Sequence, residues 1–138
     1  MNIGRFVAAA AAVGVVRVVL NGTFYGKVLG SQFEQMAAAH PGIFKQGVAG
    51  FVVTDLIFAL AFAFLFTKVG SALGGGVKAG VVLGLLVAVL SPVVGALYNF
   101  FTFTFSTVAL TCTEIIFQII AHAIEGAVAG AIYRNSPA

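Results

Sequence analysis

Four runs of apolar residues decide what this chain can fold into: Phe6 to about Tyr25, about Gly47 to Phe66, Val77 to about Phe100, and Thr107 to Tyr133. Each matches the ~20 residues needed to cross the hydrocarbon core of a bilayer. Together they occupy most of the 138 residues and leave no room for a soluble catalytic domain. Only 8% of residues are charged, where soluble domains carry about 25%. In lipid the backbone must satisfy its own hydrogen bonds, which for runs of this length means helices. The expected fold is therefore all-α: one domain over residues 1–138, an integral membrane bundle of four transmembrane helices with the lipid bilayer as its surroundings.

The residues that fit lipid least set the internal arrangement. On a helix turning ~100° per residue, Thr107, Thr111, Glu114, Gln118, His122 and Glu125 fall within an arc of roughly 80°. Cys112 projects from the other side, among Ile, Phe, Ala and Val. A charge at the bilayer centre costs at least ~2.5 kcal/mol, so this stripe is expected to turn inward and find partners. The first segment supplies a cation, Arg17, with Asn21 one turn later on the same face and Gly14 one turn earlier. Arg17 precedes Lys27 by ten residues and Asp55 follows Lys45 by ten. If both lysines mark one interface, Arg17 and Asp55 lie equally deep, ~15 Å in at 1.5 Å per residue. An Arg17–Asp55 ion pair is expected, with Glu114 as rival or second acceptor, since a guanidinium can engage two carboxylates.

Packing signals are spread over the other segments. In the third, Gly80, Gly84, Ala88, Ser91, Gly95 and Asn99 recur at three- or four-residue steps, a small-residue face that lets another backbone approach closely. Pro92 lies within that run and is expected to kink it. The fourth segment closes with Gly126-x-x-x-Gly130, a second close-approach motif. Ser31 and Glu34 have the spacing of a capping box and His40-Pro41-Gly42 forms a stop, predicting a short interfacial helix in the first loop. Gly74-Gly75-Gly76, between Lys68 and Lys78, is read as a flexible connection. It lacks the Gly-Lys-Ser/Thr ending of a phosphate loop.

The seven basic residues are scattered, so the net charge of +3 is no nucleic-acid signature. Arg5, Lys68, Lys78 and Arg134 on one side outnumber Lys27 and Lys45 on the other, which favours both termini in the cytoplasm. Met1 to Arg5 followed by an apolar run has the layout of a secretory signal, but Arg17 interrupts it and no small-residue cleavage site follows, so the segment is expected to be retained. One cysteine, Cys112, cannot form an internal disulfide.

Phe24-Tyr25-Gly26-Lys27 at the end of the first helix, a loop of about twenty residues, and three further helices closing on Gly-x-x-x-Gly together resemble a group of small four-helix bacterial inner-membrane proteins of uncharacterised function. The resemblance implies a bacterial cytoplasmic membrane and brings no activity with it.

For function, one interior cation faces three carboxylates, Asp55, Glu114 and Glu125, beside His122. No nucleophile elbow, paired Cys and His or nucleotide motif is present, so no catalytic residue and no cofactor is expected. His122 and Glu125 at i, i+3 amount to half of a di-metal bundle site, and no metal is assigned to them. The expected role is a non-catalytic structural or accessory subunit, docking as a homo-oligomer or with other membrane subunits. The alternative is a homo-oligomeric proton-coupled transporter or channel using Glu114, Glu125 and His122. Quinone, lipid or metal binding at the same stripe ranks below both.

Overall fold

The computed structural model describes residues 2–42 and 49–133, so Lys45 and Arg134, on which the orientation and depth readings lean, lie outside the described residues. The described residues contain helices and no strands. Helix α1 spans Ile3–Thr23 and runs on through a wide π-helical turn, Phe24–Val28. Then come α2, Gly30–Ala39, and α3, Ala49–Val69. Helix α4, Gly76–Ala88, passes through a second π turn, Val89–Val93, into α5, Val94–Thr102, and α6 covers Val108–Tyr133. Among the described residues, four helical stretches are long and apolar enough to cross a membrane: Ile3–Val28, Ala49–Val69, Gly76–Thr102 and Val108–Tyr133. The chain thus folds as a four-helix bundle that fits a membrane location, with α2 as an extra short helix.

Side chains fix two of the helix starts. Asn2 Oδ1 accepts from the Arg5 backbone N–H at 3.1 Å, and Thr107 Oγ1 accepts from that of Leu110 at 3.2 Å. Each satisfies one of the donors that a first turn leaves unpaired. The expected Ser31 capping box is not used. Helix α2 begins one residue earlier, at Gly30, and its N-cap is Leu29, with no side-chain hydrogen bond. Leu29 is instead almost fully enclosed, beside Phe24 and Leu110, so its burial fixes where the helix starts.

Helix α6 is the hub. Of its most apolar stretch 39% is buried, against 22–28% in the other three spans, and it packs on both α1 and α4. The α4–α6 crossing is backbone on backbone. A Cβ added to Gly80 would overlap the Gly126 carbonyl, one on Gly84 the His122 carbonyl, and one on Gly130 the Gly76 carbonyl. Where water supplies no driving force, such close approach gives dispersion contact that bulkier residues would block. Helix α3 packs differently, through Phe58, Phe62 and Phe66 at successive turns. Phe62 and Phe66 join Val13, Ala59, Ala79, Leu83 and Ala129 in the main apolar core, to which all four spans contribute.

Half of the expected small-residue face is displaced. Gly80, Gly84 and Ala88 are buried, but Ser91, Gly95 and Asn99 are exposed and Ala96 is buried in their place. Pro92 has no N–H to give, and the π turn around it accommodates one extra residue. One residue is ~100° of rotation, so the inward register after the turn moves from Gly95 to Ala96.

The connection from α3 to α4 depends on glycine. Gly74, Gly75 and Gly76 have φ of 92°, 70° and 66°, and Gly75 at ψ 171° occupies a region that is essentially glycine-only. Gly75→Ala is expected to destabilise the fold by ~1–3 kcal/mol, read as a lower thermal midpoint in detergent. Gly26→Ala, at a position with nothing within 4 Å of an added Cβ, should leave that midpoint unchanged.

Candidate functional site

Helices α1 and α6 run antiparallel, and three contacts fix their register: Arg17 with Glu125, Phe24 stacked on Phe117 at 3.8 Å, and Tyr25 with Gln118. In that register Glu125 comes level with Arg17, while Glu114 comes level with the end of the first span. The structure therefore corrects the expected second acceptor. Arg17 Nε donates to Asp55 Oδ1 at 2.9 Å, and Nη1 donates to Glu125 Oε1 and Oε2 at 3.1 and 3.2 Å. Glu114 is half-buried in α6, and no ion pair joins it to Arg17 among the described residues.

The guanidinium is thus held along its edge by acids from two other helices. Its flat face lies on the Phe58 ring, with Cζ 3.7 Å from the centroid, an arrangement in which the ring quadrupole attracts the cation. Phe58 follows Asp55 by one turn on α3, so one helix face delivers both the carboxylate and the ring. Asn21 Nδ2 donates to the same Asp55 Oδ1 at 2.9 Å. The Arg17 and Asp55 side chains retain 13% and 11% exposure and that of Glu125 none, so this is an interior ion-pair cluster that joins α1, α3 and α6.

A second polar group lies farther along the α1–α6 seam. Gln118 Nε2 donates to the Tyr25 hydroxyl at 3.1 Å, and the Tyr25 ring packs perpendicular to that of Phe117. His122 is fully enclosed; its Nδ1 lies 2.8 Å from the Gln118 backbone carbonyl, which can only accept, so the hydrogen is on Nδ1. The imidazole packs edge-on against Phe58, ring centroids 5.2 Å apart. Phe58 therefore stands between the two polar groups, with the Arg17 cation on its face and His122 against it. Gln118 Oε1 and His122 Nε2 are buried without hydrogen-bond partners among the described residues.

Of the stripe read from sequence, Thr111, Gln118, His122 and Glu125 are buried, Glu114 is intermediate, and Thr107 is exposed as the helix cap. Cys112 is exposed. Two contributors, Phe58 and Tyr25, are not among the site residues expected from sequence. Phe58 is signalled only by its one-turn spacing from Asp55, and Tyr25 only by ending the span that carries Arg17 and Asn21. Among the described residues no three His, Cys, Asp or Glu side chains are grouped to hold a metal ion. A shallow groove of about 270 Å³ lies between α2 and the start of α6, with Gln32, Gln35, His40 and Thr107 among its lining residues.

Neither a family model, nor a curated protein, nor a solved structure matches this chain.

Proposed function

We propose that the protein is a non-catalytic structural or accessory subunit of a membrane assembly, and that its interior ion-pair cluster holds three helices in register. The observation that carries this reading is the set of partners around Arg17. Carboxylates of α3 and α6 bond its edge and Phe58 covers one face, so the cation is spent on contacts within the chain. Large apolar side chains remain exposed on every span, among them Val15, Phe51, Leu90 and Ile116, which is area for lipid or for neighbouring subunits. On this reading the membrane is bacterial and cytoplasmic, and both termini are on its inner side.

A second reading, a homo-oligomeric proton-coupled transporter or channel, draws on Gln118 Oε1 and His122 Nε2, buried without partners, and on the half-buried Glu114. Native mass spectrometry of the protein extracted in mild detergent separates the two. A fixed mass containing other chains is expected for an accessory subunit. A discrete homo-oligomer, together with proton-linked flux in vesicles that Glu114→Gln abolishes, would replace the first reading with the second.

A further inference from the structure

We propose that the junction of Arg17, Asp55 and Glu125 is a proton-binding site that holds one proton per chain on its carboxyl pair. The argument rests on charge count and enclosure. Arginine stays ionised in proteins and brings one positive charge, whereas two acids bond it, one from α3 and one from α6. Glu125 is fully enclosed and Asp55 is 7% exposed. Two carboxylates against one guanidinium would leave a net negative charge in a mostly enclosed interior, where an uncompensated ion is costly.

Among the described residues no neighbour supplies the missing positive charge. Facing Glu125 are Arg17 from α1, Asp55 from α3, and His122 one turn away on α6 itself. Opposite it, α4 presents Gly80, Leu83 and Gly84; its one ionisable side chain, Lys78, is exposed at the helix start. His122 already uses its Nδ1 hydrogen on the Gln118 carbonyl, and its Nε2 faces no acceptor. A proton placed there would have nothing to bond.

Among the described residues the hydrogen bonds leave one oxygen open. Both Glu125 oxygens accept from Arg17 Nη1. Asp55 takes both of its bonds, from Arg17 Nε and Asn21 Nδ2, at Oδ1. A hydrogen on Asp55 Oδ2 displaces none of these, and Oδ1 then serves as the carbonyl oxygen of a neutral acid. In the step itself one proton leaves bulk water, one O–H bond forms, and no electrons move.

This inference depends on the cluster and not on the assembly reading, and the two fail separately: one by mass, the other by infrared spectrum. The test is the infrared spectrum of the intact, detergent-purified chain at neutral pH. One carboxylic-acid carbonyl band per chain is expected, shifted in deuterated water. It should disappear in Asp55→Asn and in Glu125→Gln, each of which leaves one acid per guanidinium, and persist in Glu114→Gln. Folded wild-type protein without the band overturns the proposal, as does a band that survives both substitutions. If a variant fails to fold, wild-type protein carrying 13C-labelled aspartate or 13C-labelled glutamate decides, because Asp55 is the sole aspartate. A band moved by the aspartate label, or one moved by the glutamate label that persists in Glu114→Gln, supports the site; a band moved by neither label, or lost in Glu114→Gln, overturns it.

Discussion

Arg17→Ala is expected to leave little folded protein in the membrane, with a stability loss of ~3–5 kcal/mol, the cost of breaking a buried pair from one side. The substitution strands two acids at once, one of them fully enclosed. It also removes the cation from the Phe58 face and one of the two donors on Asp55 Oδ1. The diagnostic result is the rescue series. Adding Asp55→Asn to Arg17→Ala should recover part of the loss, because Glu125 stays unpaired. Adding Glu125→Gln as well should recover most of it, because no net charge then remains at the junction. Arg17→Lys should fall between, since a single ammonium cannot span both carboxylates as the guanidinium does. Yield of monodisperse protein and its thermal midpoint in detergent are the readouts. A single Arg17→Ala variant as stable as the parent would remove the cluster from any account of the fold.

Gly126→Leu is expected to separate α4 from α6, at a cost of ~3 kcal/mol or more, the upper end of overpacking penalties. Its Cβ alone would overlap the Gly80 carbonyl, which is backbone and cannot rotate away as a side chain would. Gly84→Leu should behave alike, against the His122 carbonyl, and should also disturb the imidazole attached to that backbone. Gly95→Leu is the control. It occupies the same nominal small-residue face, yet nothing lies within 4 Å of its added Cβ, so its effect should stay within about 0.5 kcal/mol. Comparable damage from Gly95→Leu and Gly126→Leu would mean that the face continues unrotated past Pro92.

The spans were legible because membrane helices announce themselves by length and apolarity, and the Arg17–Asp55 pairing because both residues lie at one distance from a flanking lysine. Glu125 was harder to foresee as the second acceptor. The sequence offers no register between α6 and α1: α6 begins farther along the bundle than α1 ends, and the overlap depends on aromatic contacts such as Phe24 on Phe117 that no single-helix pattern encodes. The rotation after Pro92 escaped for a related reason. Sequence spacing assumes constant twist, whereas a π turn changes the twist without changing composition. The role of Phe58 was hidden by company, since it is one of 14 phenylalanines and only its neighbours on α1 and α6 distinguish it.

The separation in sequence between Arg17 and its two acids has a consequence for biosynthesis. Asp55 follows Arg17 by 38 residues and Glu125 by 108. At ~5–20 residues per second, the ribosome delivers the first acid about 2–8 s after the arginine and the second about 5–22 s after it. Until Asp55 arrives the earliest span carries a cation with no counter-charge from its own chain, and from then until Glu125 arrives Arg17 Nη1 lacks its acceptor. A ribosome stalled before Asp55 is therefore expected to leave a nascent chain whose opening helix carries an uncompensated cation and stays shallow or within reach of the insertion machinery.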